Sequence, residues 1–149
     1  MNDVERFVER FKDRWTNVEP ESFADLWDPE GTLLHPGMEK PIPASEVSSY
    51  IIRVKSVLPD IRLRVTSWAA RGNDVLIEWV ISATFASEPV EWAGVDRFTL
   101  RGDRAFEGVA YFDTLPLWAR IDPSMKRGHM LSSVKDAVGV ASVKTPSAA

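Results

Sequence analysis

Val4, Phe7, Val8, Phe11 and Trp15 fall at i, i+3, i+4, i+7 and i+11, with Glu5, Arg6, Glu9, Arg10, Lys12 and Asp13 between them. An apolar stripe on a charged cylinder predicts an amphipathic helix with an aromatic core face. PESFADLW predicts a second, shorter helix, opened by Pro20 and closed by DPEG as a turn. TLLH then reads as a short strand. His35 must be extended because it precedes Pro36. HPGMEKPIP reads as a loop. Ser45 is the expected N-cap of a third helix carrying Val47, Ile51, Val54 and Leu58 at helical spacing, and Pro59 stops it.

Beyond Pro59 the period changes from helical to two. IRLRVTSWAA and DVLIEWVISATFA, joined by RGND, predict one hairpin, and PVEWAGVDRFTL and RAFEGVAYFDTL, joined by RGD, predict another. Helices first and an antiparallel meander afterwards is an α+β layout, with the helices covering one face of a curved sheet. In the tail, Met130, Val134, Ala137, Val138 and Ala141 recur at helical spacing. The expected organisation is a domain over residues 1–121 and a C-terminal arm over 122–149.

Composition narrows the function classes. The 149 residues are 44% hydrophobic and 27% charged, the balance of a globular chain. A net charge of -4 argues against a surface that tracks nucleic-acid phosphates. There is no cysteine, which excludes thiolate catalysis, disulfides and cysteine-based zinc sites. Two histidines far apart in sequence make no metal-ligand cluster, so no metal and no cofactor are expected. No apolar run approaches the ~20 residues of a membrane helix. MNDVERFVERFKDRW lacks the apolar core of a signal peptide, which makes a cytoplasmic location the expectation.

One residue breaks the strand pattern. Val90, Trp92, Gly94, Asp96, Phe98 and Leu100 share the core face of the third long strand, and Asp96 is the carboxylate among them. Such a group must be paired, protonated or lining a cavity. In the last strand two registers are open, and Phe106, Gly108, Ala110 and Phe112 facing inward is the one that builds a pocket lining. His35 reads either as a strand-end histidine satisfied by backbone or as a working group facing Asp96.

The element order resembles the nuclear transport factor 2-like superfamily, a conical α+β half-barrel around an apolar cavity, with helices on the concave side of a mainly antiparallel sheet. GVDRFTLRGDRAFEGVAYFD looks like the last hairpin of its SnoaL-like polyketide cyclase and ketosteroid isomerase branches. The resemblance spans about residues 4–118. Against ketosteroid isomerase, TLLHP resembles the segment that carries the catalytic base, which puts His35 where that family has an Asp. DRF matches its oxyanion-hole Asp at Asp96, and Phe11 stands at its helix-one Tyr. The triad of limonene-epoxide-hydrolase-like members falls on Ile81, Trp79 and Ala110, which excludes that chemistry. The cavity histidine pair of scytalone-dehydratase-like members is not matched, since His129 lies in the tail. The His-Trp-Asp type run of SnoaL-like cyclases is here GVA.

The resemblance implies a cofactor-independent enzyme moving protons on a small apolar, carbonyl-bearing substrate of steroid, polyketide or terpenoid type, by isomerisation, cyclisation or dehydration. His35 is the expected base and Asp96 the expected neutral acid, with Phe11, Trp79, Trp92, Phe98, Ala110 and Phe112 as cavity wall. The alternatives are a non-catalytic module for a hydrophobic ligand and a dimeric scaffold. A homodimer is expected through the outer sheet face, around Arg62, Arg64, Trp68, Glu78 and Arg97, and no nucleic acid or membrane partner is expected.

Overall fold

The structure is a computed structural model that describes residues 1–121. The chain divides into two compact units, Met1–Thr114 and Leu115–Ala149. The described part of the second unit is one helix, Leu115–Ile121. The helical spacing expected between Met130 and Ala141, the arm over 122–149, and His129 lie outside the described residues.

The first unit opens with α1, Asp3–Thr16, which buries Phe7, Val8, Phe11 and Trp15. Its start is fixed by a reciprocal cap: the Glu5 N–H donates to the Asn2 side chain and the Asn2 N–H donates to the Glu5 carboxylate, both at 2.9 Å. Each large apolar side chain so buried contributes about 1.5–3 kcal/mol relative to exposure, which is why the stripe and not helix propensity sets α1. The expected second, shorter helix is present at Pro20–Leu26 as a 3-10 helix. Then come β1 (Trp27–Leu34), β2 (Ile42–Pro43), α2 (Val47–Val57), β3 (Arg62–Arg71), β4 (Asp74–Phe85), β5 (Glu88–Arg101) and β6 (Arg104–Phe112). They form one six-stranded sheet in the order β2-β1-β6-β5-β4-β3. The β1–β6 pair is parallel and the other pairs are antiparallel. This is an α+β arrangement, with α1 packed on the sheet's inner face through Phe7 and Phe11 against Phe98 of β5.

Four local departures from the sequence reading have physical causes. DPEG is not a turn between elements but a bulge inside β1, where pairing with β6 jumps between Trp27 and Thr32. It keeps its turn chemistry, since the Glu30 N–H donates to the Asp28 carboxylate at 2.9 Å. Ile42–Pro43, inside the expected loop, pairs with β1 as a two-residue strand. Ser45 lies in a 3-10 turn, Ala44–Glu46, and does not cap α2. Phe106 faces outward: a register shift after Thr99 pairs Leu100 with Ala105, leaving Phe106 exposed beneath the Arg101 guanidinium, 3.9 Å from its ring centroid. The inward register holds for the rest of β6, where Asp96 pairs with Ala110, Phe98 with Gly108 and Gly94 with Phe112.

A third bulge, at Thr66, changes the parity of β3. Arg62 and Arg64 share the outer face with Ser82 and Val80, whereas Trp68 pairs with the fully buried Ile77 and belongs to the inner row. Trp68 therefore does not join Arg62, Arg64, Glu78 and Arg97 on the outer face.

Candidate functional site

His35 follows the last residue of β1 and begins a β-turn. Pro36 and Gly37 take the central positions, Gly37 at φ 89°, and the Met38 N–H donates to the His35 carbonyl at 3.1 Å. Leu34 is level with Val109 in β6, so His35, one position on, is level with Ala110. Ala110 is in turn paired with Asp96 in β5. His35, Ala110 and Asp96 thus form one row across three strands on the inner face, and two ladder spacings separate the outer pair by roughly 10 Å at the backbone. The middle member carries only a methyl group, so no large side chain stands between them in that row.

Two small cavities adjoin His35 and Asp96. One, of about 30 Å³, is walled on the α1 side by Phe7, Phe11, Phe23, Trp27 and Phe98. The other, of about 60 Å³, is walled by Tyr50, Leu63, Trp79, Ile81, Trp92 and Phe112. Trp15, His35, Ile51 and Asp96 line both. Of the wall expected from sequence, Phe11 and Phe98 line the first cavity and Trp79, Trp92 and Phe112 the second, while Ala110 lines neither. A larger open groove of about 490 Å³ runs along β3 beside Lys12 and Thr16 of α1, away from His35 and Asp96.

Asp96 is 7% exposed, the buried charged side chain among the described residues. Its Oδ1 and the indole nitrogens of Trp79 and Trp92 are buried without a hydrogen-bond partner. Burial pushes the Asp96 carboxyl up to about 7, against a smaller opposing pull from the nearby Trp79 indole N–H, which stops short of hydrogen-bond geometry. Gly94 makes the arrangement sterically feasible: a Cβ there would sit 2.6 Å from the Trp79 ring and 2.6 Å from the Phe112 Cβ. The large indole therefore lies over the β5 backbone one row from Asp96.

His35 is half-buried, and desolvation of its ring brings the imidazole down to about 4, so the ring is neutral at neutral pH. Its Nδ1 is 2.9 Å from the Tyr50 hydroxyl of α2. The Tyr50 ring stands perpendicular to the imidazole at 5.2 Å, and Phe112 does the same at 6.2 Å. Burial is also the main cause that raises the Tyr50 phenol, with the Asp96 charge adding to it and Arg53 acting against it. Tyr50 is the site residue that sequence reasoning missed. The signal was present, because Tyr50 is i+3 from Val47 and i−4 from Val54 and so borders the apolar stripe of α2. Phe11 is buried against Phe98 and offers no polar atom, so the polar groups at the centre are Asp96, His35, Tyr50 and the two indoles.

This constellation places on the same aromatic-walled cavities a histidine that is neutral at neutral pH and a carboxyl that titrates close to it. Its groups can exchange a proton with an apolar molecule. Among the described residues no group of three His, Cys, Asp or Glu is placed to hold a metal ion. No described helix is long and apolar enough to cross a membrane.

Fold and site together define a nuclear transport factor 2-like protein. More narrowly, the sequence profile of the SnoaL-like domain matches residues 5–108, and the chain belongs to that family. Among curated proteins no relative matches. Solved structures of the same fold include AclR, a candidate hydroxylase from Streptomyces galilaeus, at TM-score 0.73 and 15% identity over 93% of this chain and 94% of its own. A ketosteroid isomerase-like fold from Catenulispora acidiphila, in complex with trimethylamine, gives TM-score 0.70 and 17% identity over 76% and 89%. IdmH, a candidate polyketide cyclase from Streptomyces antibioticus, gives 0.69 and 16% over 79% and 97%. At such identities the likeness is one of fold.

Proposed function

We propose that the protein is a cofactor-independent enzyme that moves a proton on a small apolar, carbonyl-bearing substrate, in an isomerisation, cyclisation or dehydration. The observation that carries this reading is Asp96: a buried carboxyl with an unpartnered oxygen, on the same two cavities as a neutral histidine. A general base works best with a pKa near the operating pH. By that criterion the proton carrier is Asp96, at about 7, and His35, at about 4, is its neutral counterpart. Asp96 would take the acidic proton from carbon and return it elsewhere, and the polar hydrogens across the gap would stabilise the enolate oxygen. In this reading the active form is a homodimer in the cytoplasm.

A non-catalytic role is favoured by one observation, the size of the gap. Ligand pockets usually enclose roughly 300–1,000 Å³, whereas the two cavities here hold about 30 and 60 Å³. A substrate of several rings requires the wall between them, Trp15 and Ile51, to move.

The test is a tryptophan-fluorescence titration with planar phenols of one to three rings, whose oxygen imitates an enolate. Choosing phenols that ionise near ~10 keeps their own titration out of the range used. Binding should weaken as pH rises through about 7, where Asp96 ionises, and Asp96→Asn should remove that dependence. Binding of equal strength from pH 5 to 8.5 would mean that the Asp96 carboxyl does not meet the bound oxygen and would refute its place beside the reacting atoms. No binding of any phenol would favour the scaffold.

A further inference from the structure

We infer that Tyr50 is a positioning residue: its hydroxyl donates to His35 Nδ1 and so fixes the imidazole as the tautomer with its proton on Nε2, making His35 a hydrogen-bond donor to a substrate oxygen and not a base. The inference rests on the proton-transfer reading of the cavity and goes beyond it by assigning the two ring nitrogens.

The geometry carries the assignment. The Tyr50 hydroxyl lies 2.9 Å from Nδ1. Histidine often settles its tautomer by donating Nδ1–H to a backbone carbonyl or carboxylate. Here the partner is a phenol, which has a proton of its own to place. If Nδ1–H donated to the phenol oxygen, the phenol proton would need another acceptor and Nε2 would keep an unpaired lone pair, whereas the reverse direction places the phenol proton and leaves only the Nε2–H to be met, by a substrate oxygen. Turning the ring about Cβ–Cγ would put Cδ2 in place of Nδ1 and lose the Tyr50 bond, and Tyr50 and Phe112 both stand at right angles to the imidazole against such a turn. The main-chain N–H of His35 is engaged separately, with the Met38 sulfur at 3.3 Å. Neutral, with Nδ1 occupied as an acceptor, the imidazole carries its remaining hydrogen on Nε2.

The consequence is a division of labour. The Asp96 carboxylate forms an O–H bond as the substrate's α C–H breaks, and that electron pair moves to the carbonyl oxygen. The enolate oxygen accepts the Nε2–H hydrogen bond, and the histidine proton stays on nitrogen. Asp96 then returns its proton to carbon, which leaves the enzyme unchanged and needs no co-reactant. The substrate class that fits is an apolar ketone or enone with an acidic C–H beside its carbonyl. An amine or a phosphate ester does not fit.

The test uses the full chain with ¹⁵N-labelled histidine, without ligand, at pH 7.5. His129→Gln assigns the two imidazoles. In the wild type, long-range ¹H–¹⁵N correlations should show His35 Nδ1 as a fully unprotonated nitrogen and Nε2 as protonated. In Tyr50→Phe both resonances should shift towards each other as the second tautomer becomes populated. An Nδ1–H tautomer in the wild type, or an unchanged spectrum in Tyr50→Phe, overturns the inference. Should the variant fail to fold, the wild-type tautomer alone decides. A purely structural Tyr50 would alter stability without moving these shifts. Because no substrate is used, failure of the phenol titration would remove the proton-transfer reading and leave the tautomer result to stand or fall separately.

Discussion

Two aspartates seven positions apart are treated in opposite ways. Asp103, in the turn between β5 and β6, accepts from Arg10 at 2.8 Å, lies 3.8 Å from Arg6, and has its carboxyl held below the usual range by the Arg10 hydrogen bond. Asp96, in the middle of β5, has no cation beside it, keeps one oxygen unpartnered and is pushed up to about 7. Arginines are not scarce in this chain, since Arg14 serves Asp25 at 2.5 Å and Arg97 serves Glu107 at 2.6 Å. Carboxylates that hold elements together here receive a guanidinium, as at Asp103 and Asp25, or a threonine, as at Asp60 and Asp74, and the one inside the sheet receives neither. A buried carboxyl left unpaired lowers stability unless it stays protonated. Asp96 is therefore poorly suited to cohesion and well suited to exchanging a proton.

The largest effect that separates the two sites is on chemistry. With small cyclic ketones in D₂O, the wild type should accelerate deuterium exchange beside the carbonyl. Asp96→Asn should slow this by about 10²–10⁴-fold, the usual worth of a positioned acid or base. Asp103→Asn should leave the rate within a factor of two or so. Equal losses in both variants would break the comparison and make Asp96 one more structural carboxyl.

The next effect is on stability against pH, and its sign differs for each group. Asp96 has its pKa raised from 3.8 to about 7, so the folded state binds more protons across that window. Its contribution is full below pH 4 and is lost as pH rises to about 7, a change of about 4 kcal/mol. His35 has its pKa lowered from 6.5 to about 4, so the unfolded state binds more protons. Its contribution is present above pH 6.5 and is lost as pH falls towards 4, a change of about 3 kcal/mol. The two slopes nearly cancel between pH 4 and 6.5. Urea unfolding should expose them one at a time: Asp96→Asn should gain stability with rising pH over that range, and His35→Gln should lose it. Parallel curves for both variants would show that neither group is desolvated as the fold implies.

What the chain discloses before folding follows the same division. Strict alternation in β5 is enough to place Asp96 on the inner face, and a histidine before proline at the end of an apolar run is enough to place His35 at a strand end. The row that joins them depends on the parallel pairing of β1 with β6, which no local pattern encodes. The bulges at Thr66 and Phe106 are equally silent: one extra residue reverses the face of every side chain after it without changing composition. That is how Trp68 and Phe106 came to face opposite to their expected sides. Tyr50 escaped notice because an amphipathic phenol at the border of a helical stripe looks like any half-exposed tyrosine until its partner at the end of β1 is known. Cavity volume is a property of packing and is not written in any one segment.

A smaller effect tests how tightly the Asp96 row is packed. In Gly94→Ala the new methyl would meet the Trp79 ring and the Phe112 Cβ, both 2.6 Å away in the present structure. Overpacking of this kind costs about 1–3 kcal/mol, read as a lower urea midpoint at unchanged slope. Because Trp79 also borders Asp96, the phenol affinity should fall with it. An unchanged midpoint and affinity would mean that the indole moves freely, and the cavity would then be larger in solution than its resting volume.

The smallest expected effect lies at Asp103, and its sign completes the comparison. Its lowered pKa gives stability at neutral pH that fades as pH falls, opposite to Asp96. The Asp103 side chain is 34% exposed, and that of its partner Arg10 27%, so solvent and salt screen the pair. Asp103→Asn should therefore cost no more than about 1 kcal/mol at pH 7, less in high salt and nothing near pH 2. A loss of several kcal/mol would mean that the Arg10–Asp103 link holds α1 to the sheet more firmly than the aromatic stripe does. Two roles of one carboxylate type, cohesion at Asp103 and proton exchange at Asp96, would then differ in degree only, and the argument from Asp96's missing cation would lose its contrast.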